Sequence, residues 1–157
     1  MLDSLYFDEF SQGQKFISKA RTVTEADVVN FSNLTWDHNS LHIDKEYAKG
    51  TAFGRRIAHG IMGIAFQAGL TSFLTEKSII ALLNINWNFN KPVFIGDTIH
   101  VEQTVEEMRK TSDGRRGVLT FKKELVNQDN DAVQDGLITV LLAIRENDWR
   151  PFTRLER

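Results

Sequence analysis

The sequence predicts an α+β fold in which one curved antiparallel sheet wraps a long buried helix. Three observations carry this. Ile57–Thr75 runs 19 residues without Asp, Glu, Lys or Arg and is apolar on nearly every side, as a helix enclosed by protein should be. Everything after Ser78 alternates with the two-residue period of strands, interrupted only at turn residues. The 157 residues, 41% apolar and 25% charged, fit one ordinary globular domain. That domain is expected over 1–157, with its core at about 7–145.

The elements follow in order. Gln14–Val23 alternates and reads as a strand. Thr24-Glu25-Ala26-Asp27 is a capping box, a hydroxyl followed three residues on by an acid. Val28, Phe31 and Leu34 then recur at spacing three, predicting a short helix over Glu25–Asn33. Leu34–Leu41 is dense in Thr, Asp, Asn and Ser and predicts a structured loop. Asp44–Lys49 can make one or two helical turns that Gly50 ends. The long helix is expected over Ile57–Leu74. Gly60, Gly63 and Gly69 each cost it roughly 1 kcal/mol, which close approach of the backbone to a sheet or a ligand would explain. Beyond it, Ile79, Ala81, Leu83, Ile85, Trp87 and Phe89 share one strand face, and Ile80, Leu82 and the asparagines at 84, 86, 88 and 90 share the other. Pro92 and Gly96-Asp97 break the run. Strands near 98–110 and 115–127 should form a hairpin about Thr111–Gly114. Ala132–Ile144 is apolar on both faces from Leu137, as a central strand should be.

Composition excludes several chemistries. With no cysteine there is no disulfide framework, no Cys-bound zinc or iron–sulfur cluster and no thiol nucleophile. A formal charge of −2 gives no basic footprint for nucleic acid. Residues 1–10 lack the basic start and apolar core of a signal peptide. The His, Gln and glycines within Ile57–Thr75 suit a buried helix better than a membrane span. A soluble, cytoplasmic protein without nucleic-acid or membrane partners is expected.

Polar residues crowd into two stretches, Asp37-His38-Asn39-Ser40-Leu41-His42 and Ile57-Ala58-His59-Gly60. A carboxylate and an imidazole on one loop, here Asp37 and His42, can hold a water between them and exchange protons with it near neutral pH. Alternatively Asp37 caps the loop's own amides and His42 packs beneath it. A helix start leaves N–H donors free, and at Gly60 no Cβ blocks a ligand carbonyl. Such a donor stabilises an enolate forming on a thioester. Equally, Gly60 allows tight packing of helix on loop. A metal at Asp37, His38, His42, Asp44 and His59 is the rival, but no His pair has the helical i, i+4 spacing of a metalloprotease, and no metal is expected. Arg55-Arg56 either meet a phosphate or are surface charges. His100 is expected on a solvated strand face, and the asparagine row on a hydrated or subunit-contacting one.

Four ordered segments carry a family resemblance: Arg21–Asp27, Asp37–His42, Phe53–Gly60 and Lys91–Asp97. Together they resemble the MaoC-like dehydratases, which include the (R)-specific enoyl-CoA hydratases. The resemblance runs from about Phe7 to Arg145. It implies a hot-dog fold, a sheet around a central helix, and a homodimer, or dimer of dimers, whose sheets join edge to edge. It implies that Asp37 and His42 flank a catalytic water, that the Gly60 N–H polarises the thioester carbonyl, and that Asn39 supports the site. Ile57, Ala58 and His59 are expected to line the bound substrate. The implied reaction adds water across a trans-2-enoyl thioester to give the (R)-3-hydroxyacyl thioester, with acyl-CoA or acyl carrier protein as carrier. No cofactor is implied beyond coenzyme A as part of the substrate. Three positions depart from the pattern. Trp36 stands where the family usually has Gly, Ser40 where it usually has Pro, and Ala68 where several hydratases have Ser. Trp36 is expected to reshape the acyl pocket. A hot-dog thioesterase would need a carboxylate base, which Ile57–Thr75 lacks. A non-catalytic acyl-thioester-binding subunit is the third class.

Overall fold

The computed structural model describes residues 4–147, so the expected domain of 1–157 extends beyond them at both ends. A 3-10 turn at Phe7–Glu9 precedes two short strands, β1 (Lys15–Ile17) and β2 (Arg21–Thr22). Helix α1 (Glu25–Thr35) leads through two short helices, α2 (Ser40–Ile43) and α3 (Lys45–Lys49), to the long helix α4 (Gly60–Thr71). Four long strands follow: β3 (Ile79–Phe89), β4 (Thr98–Lys110), β5 (Arg116–Val126) and β6 (Ala132–Ala143). They form one antiparallel sheet in the order β1-β4-β5-β6-β3, with β2 also on β4.

The α+β plan is therefore the one the sequence predicts, and α1 begins on the capping box it encodes. Thr24 Oγ1 accepts from Asp27 N at 3.2 Å, and Asp27 Oδ2 accepts from Thr24 N at 2.8 Å. Such a cap contributes about 1 kcal/mol. Details differ in four places. The expected first strand is two short pieces. The Leu34–Leu41 loop contains the start of α2. The long helix starts at Gly60, because Ile57 and Ala58 are held extended by the loop before β4: Ala58 N–H donates to Val93 O at 2.7 Å, and Ile57 bridges Phe94. Finally, β3 does not keep strict alternation. Register shifts between Ile79 and Ala81 and between Leu82 and Asn84 re-aim its side chains. Leu82 thereby joins Ile79 and Ile85 in lining the groove between β3 and α4, and Leu83 lies outside that lining.

Two apolar clusters form the core. One joins Phe7 and Phe10 to Leu119, Phe121, Ile138 and Val140 on the inner face of the sheet. The other packs Val28, Ala58 and Met62 on Ile99, Val101 and Leu125. Helix α4 is buried along Met62, Gly63, Gln67 and Thr71 only. Its opposite stripe, Ile61, Ile64, Ala65 and Ala68, lines an open groove beside β3, where the sequence predicts burial on nearly all sides. That groove ends at the sheet's edge strand, which has no neighbour beyond it among the described residues.

The inner face also holds a buried charge-bearing side chain. Lys123, 6% exposed, lies on β5 between apolar residues and donates to Thr71 Oγ1 at 2.8 Å. Burial lowers its pKa to about 7. The unfolded chain, with a lysine pKa of about 10.4, binds more protons between these values, so stability rises with pH across that window. Lys123→Met is expected to be more stable than the wild type at pH 7. The margin should shrink as pH approaches 10, read by denaturant unfolding at several pH values; a margin independent of pH would contradict the buried-charge account.

Candidate active site

The loop after α1 is shaped by two backbone requirements. Trp36 ends the helix in the left-handed region, with φ +64°. A side chain there costs roughly 1–2 kcal/mol over glycine, which explains why a glycine suits this position. Trp36 is 85% exposed and lines neither the cleft beside Gly60 nor the groove between α4 and β3. Ser40 is the first residue of α2, the helical position at which proline is most readily accepted. Both departures from the family pattern thus fall at sites of defined backbone geometry. Ala68 lines the groove between α4 and β3.

Asp37 and Asn39 each hold a local amide. Asp37 Oδ1 accepts from Asn39 N at 3.2 Å, and Asn39 Oδ1 accepts from Leu41 N at 3.0 Å, capping α2. These bonds turn the chain so that His42 is buried while Asp37 stays exposed. The local-cap reading of Asp37 therefore holds, and it coexists with a free carboxylate edge.

Two imidazoles are locked by main-chain carbonyls. His42 Nδ1 lies 2.8 Å from Ile57 O, and His59 Nε2 lies 3.0 Å from Asp37 O. A carbonyl only accepts, so each of these nitrogens carries the proton. His42 Nε2 is left as the basic nitrogen. Ser32 Oγ sits 3.3 Å from His59 Nε2, and the buried His59 Nδ1 has no hydrogen-bond partner. Burial lowers the His59 pKa, and the Asp37 carbonyl only partly offsets this. His59 is therefore a neutral spacer beneath His42, the two rings stacking at 3.8 Å between centroids. One polar atom each from Asp37, His42 and His59 lie within 4.8 Å of one another. That is the span one water bridges with two hydrogen bonds of about 2.8 Å.

Gly60 opens α4, and its N-cap His59 supplies no side-chain cap. Met62 N–H donates to His59 O at 3.0 Å, and the N–H groups ahead of it, at Gly60 and Ile61, face the helix's open start, where a ligand acceptor can take them. The loop over Lys91–Asp97 secures this start through Ala58 and Ile57 as described, and Gly96 N–H donates to Val23 O at 2.8 Å. From the sheet, Gln134 Nε2 donates to Gly60 O at 3.0 Å and Gln134 Oε1 accepts from Trp87 Nε1 at 2.9 Å. Gln134 fills the space a Cβ on Gly63 would take, within 2.3 Å of its Oε1. Close approach thus accounts for Gly63. Nothing comparable accounts for Gly69.

A cleft of about 300 Å³ opens beside these groups, lined by His42, Ile57, Ala58, Gly60, Phe89 and Gln134 among others. Asp37, Asn39 and His59 stand behind or beside it rather than in its lining. Arg55 and Arg56 are engaged elsewhere: Arg56 pairs with both carboxylate oxygens of Glu25, lowering that carboxyl's pKa, and Arg55 stacks on Phe94. His38 contacts Asn33, and His100 contacts Glu102. Asn88 and Asn90 hold Asp135 on the outer sheet face. Sequence reading missed Ser32, Trp87 and Gln134. The available signal was Gln134, a polar residue on the otherwise apolar inward face of its strand.

The comparisons with known proteins give the family and the fold. The family model for the MaoC like domain matches residues 9–127, and the chain belongs to that family. Protein MaoC of Klebsiella aerogenes is 40% identical over 112 residues, 71% of this chain and 33% of that protein, so the chain spans one third of that relative. The (R)-specific enoyl-CoA hydratase of Rhodospirillum rubrum is 34% identical over 100 residues, 64% of this chain and 69% of that one. Among solved structures, a monoamine oxidase regulatory protein from Archaeoglobus superposes with a TM-score of 0.83 at 35% identity, covering 90% of this chain and 96% of that one. A Mycobacterium tuberculosis protein with a double hotdog fold superposes with a TM-score of 0.82 at 20% identity, covering 94% of this chain and 46% of that one. The fold is the hot-dog fold. No described helix is long and apolar enough to cross a membrane.

Gly63→Ala is expected to displace Gln134 and break its bonds to Trp87 and Gly60. Destabilisation of 1–3 kcal/mol is the overpacking range, read by denaturant unfolding, whereas Gly69→Ala should be neutral or stabilising.

Proposed function

We propose that this chain is a hydratase/dehydratase that interconverts trans-2-enoyl and (R)-3-hydroxyacyl thioesters. The observation that carries it is one polar cluster, Asp37 and His42 within water-bridging reach, beside the uncapped start of α4 at Gly60. Membership of the MaoC-like family and a relative named as an (R)-specific enoyl-CoA hydratase support the same reading. The thioester carbonyl takes the Gly60 N–H, so enolate charge develops at the positive end of the helix. Asp37 and His42 together move protons among water, Cα and the Cβ oxygen. Ile57 and Ala58 border the cleft, while His59 holds Asp37 by its carbonyl, and Asn39 holds the loop. The carrier is coenzyme A in this proposal, with acyl carrier protein as the other candidate. The acyl chain runs along Ile61, Ile64, Ala65 and Ala68 into the groove beside β3, whose volume is about 630 Å³.

No metal takes part in this scheme. Asp37, His42 and His59 are close enough to surround an ion. However, the stacked rings lie only 29° from parallel, so their in-plane lone pairs run side by side instead of converging. Zinc at about 2.1 Å from both would sit far out of each ring plane.

The site is proposed to work in the cytoplasm as a homodimer. Strand β3 is an uncovered edge bearing Leu82, Leu83, Ile85 and Phe89, each at least 42% exposed. Such an edge invites pairing with a second copy.

Asp37→Asn is expected to fold normally and to lose about 10²–10⁴-fold in crotonyl-CoA hydration, followed by loss of enoyl-thioester absorbance in chelator-containing buffer. Wild-type rates in the variant would remove Asp37 from the reaction, and thiol release would indicate a thioesterase. Leu83→Lys, outside the groove, is expected to yield monomers by light scattering; an unchanged mass would place the dimer contact elsewhere.

A further inference from the structure

The inner groove has a polar end that the hydration scheme does not use. Lys123, Gln103, Gln67 and Thr71 all line it, opposite the end nearest Gly60. The first three are 6%, 3% and 2% exposed. They come from three elements: β5, β4 and α4. The Lys123 ammonium has three donors and uses one, to Thr71 Oγ1. Gln67 Oε1 and Gln103 Oε1 are buried without any hydrogen-bond partner. Unpaired polar atoms at this depth are rare in folded proteins, and rotating either carboxamide puts its NH₂ where the unpaired oxygen now sits.

The charge is uncompensated as well. No carboxylate forms an ion pair with Lys123 among the described residues, and burial alone accounts for its lowered pKa. The other groups facing it are the Thr71 hydroxyl, the two carboxamides and the Phe121 ring, 5.3 Å from Nζ to centroid. Among the described residues, the only other ionisable group of the groove lining is the exposed Glu76, five residues beyond Thr71 in sequence. An anion that reached Lys123 would find a cation, and two carboxamides able to turn their NH₂ groups toward it.

We propose that the acyl groove recognises an acyl chain ending in a carboxylate, so that the substrate is a monothioester of a dicarboxylic acid. This rests on the hydratase reading for the thioester end. The distance sets the chain length. Gly60 and Thr71 are eleven residues apart on α4, about 16 Å along the axis. Allowing one hydrogen bond at each end leaves room for an extended chain of roughly eight to ten carbons. The groove volume, about 630 Å³, is within the usual range for ligand sites. Binding pairs the ammonium with the carboxylate and raises the lysine pKa, so a proton is taken up wherever the free amine is neutral.

The experiment compares a ten-carbon trans-2-enoyl-CoA ending in methyl with its ω-carboxyl counterpart. Wild type, Lys123→Met and the outward-facing control Lys122→Met are assayed. The expected ratio of kcat/KM, carboxyl over methyl, is at least about tenfold in the wild type and in Lys122→Met, and falls about tenfold or more in Lys123→Met. A wild-type preference for methyl, or a ratio unmoved by Lys123→Met, overturns the proposal. Calorimetry with the saturated ω-carboxyacyl-CoA at pH 8, in two buffers of different ionisation enthalpy, reads proton uptake. Uptake approaching one proton per site is expected for the wild type and none for Lys123→Met. Equal values in the two proteins overturn the proposal. If the wild type hydrates neither chain, the hydratase reading fails, and the calorimetry alone decides for or against the carboxylate site.

Discussion

Two main-chain carbonyls organise this site. The carbonyl of Ile57 receives the His42 N–H, and the carbonyl of Asp37 receives the His59 N–H. The bonds cross: each joins the loop after α1 to the segment leading into α4. They fix which nitrogen of each ring is protonated, and they set the loop against the helix start. Because the rings stack, neither can rotate without moving the other. The water-bridging distance between Asp37 and His42 follows from this crossed pair, as does their placement beside the Gly60 N–H. Remaining devices serve it. Thr24 starts α1 at a defined residue, Val93 and Phe94 hold Ile57 and Ala58 extended, and Gln134 pins the first turn of α4.

Much of the fold was legible because it depends on local chemistry and period. The capping box at Thr24 and the hairpin between β4 and β5 need only neighbouring residues to be recognised. The alternation of β3 was misread because a bulge at Leu82–Asn84 breaks it without any glycine or proline to signal it. The helix starts later than its apolar run because Ile57 and Ala58 are as apolar as the helix, and their extended form is imposed by a loop nearly forty residues further on. Asp37, His42 and Gly60 could be picked out as chemical groups, and the resemblance ordered them. That His59 would be a buried neutral spacer could not, since its partners, Ser32 and the Asp37 carbonyl, are set by tertiary packing.

Lys123 shows a signal that composition hides and pleat geometry exposes. Lys122 and Lys123 are adjacent on a strand, so they point to opposite faces. In a sheet with one face against a helix, one of two neighbouring lysines must enter the core. Reading the doublet as surface charge fails on that ground alone. Its inward member sits in the central part of the sheet, where an uncompensated ammonium opposes folding and is therefore hard to explain by stability.

Helix α4 separates two kinds of polar demand along one axis. Its first turn lacks a side-chain cap on its N–H donors, and its last turn faces charge already present in a side chain. Between them the groove-facing stripe is wholly apolar, Ile61, Ile64, Ala65 and Ala68. An apolar span between two polar ends reads length as well as polarity. A chain too short leaves Lys123 and the two carboxamides unpaired, while one too long must bend or protrude. Glycines at 60 and 63 let the first turn of the helix lie close against Phe89 and Gln134. The far end, bordered by the edge strand β3, is open. Covering β3 with a second sheet would close the groove's remaining side and make the spacing between its ends a fixed ruler.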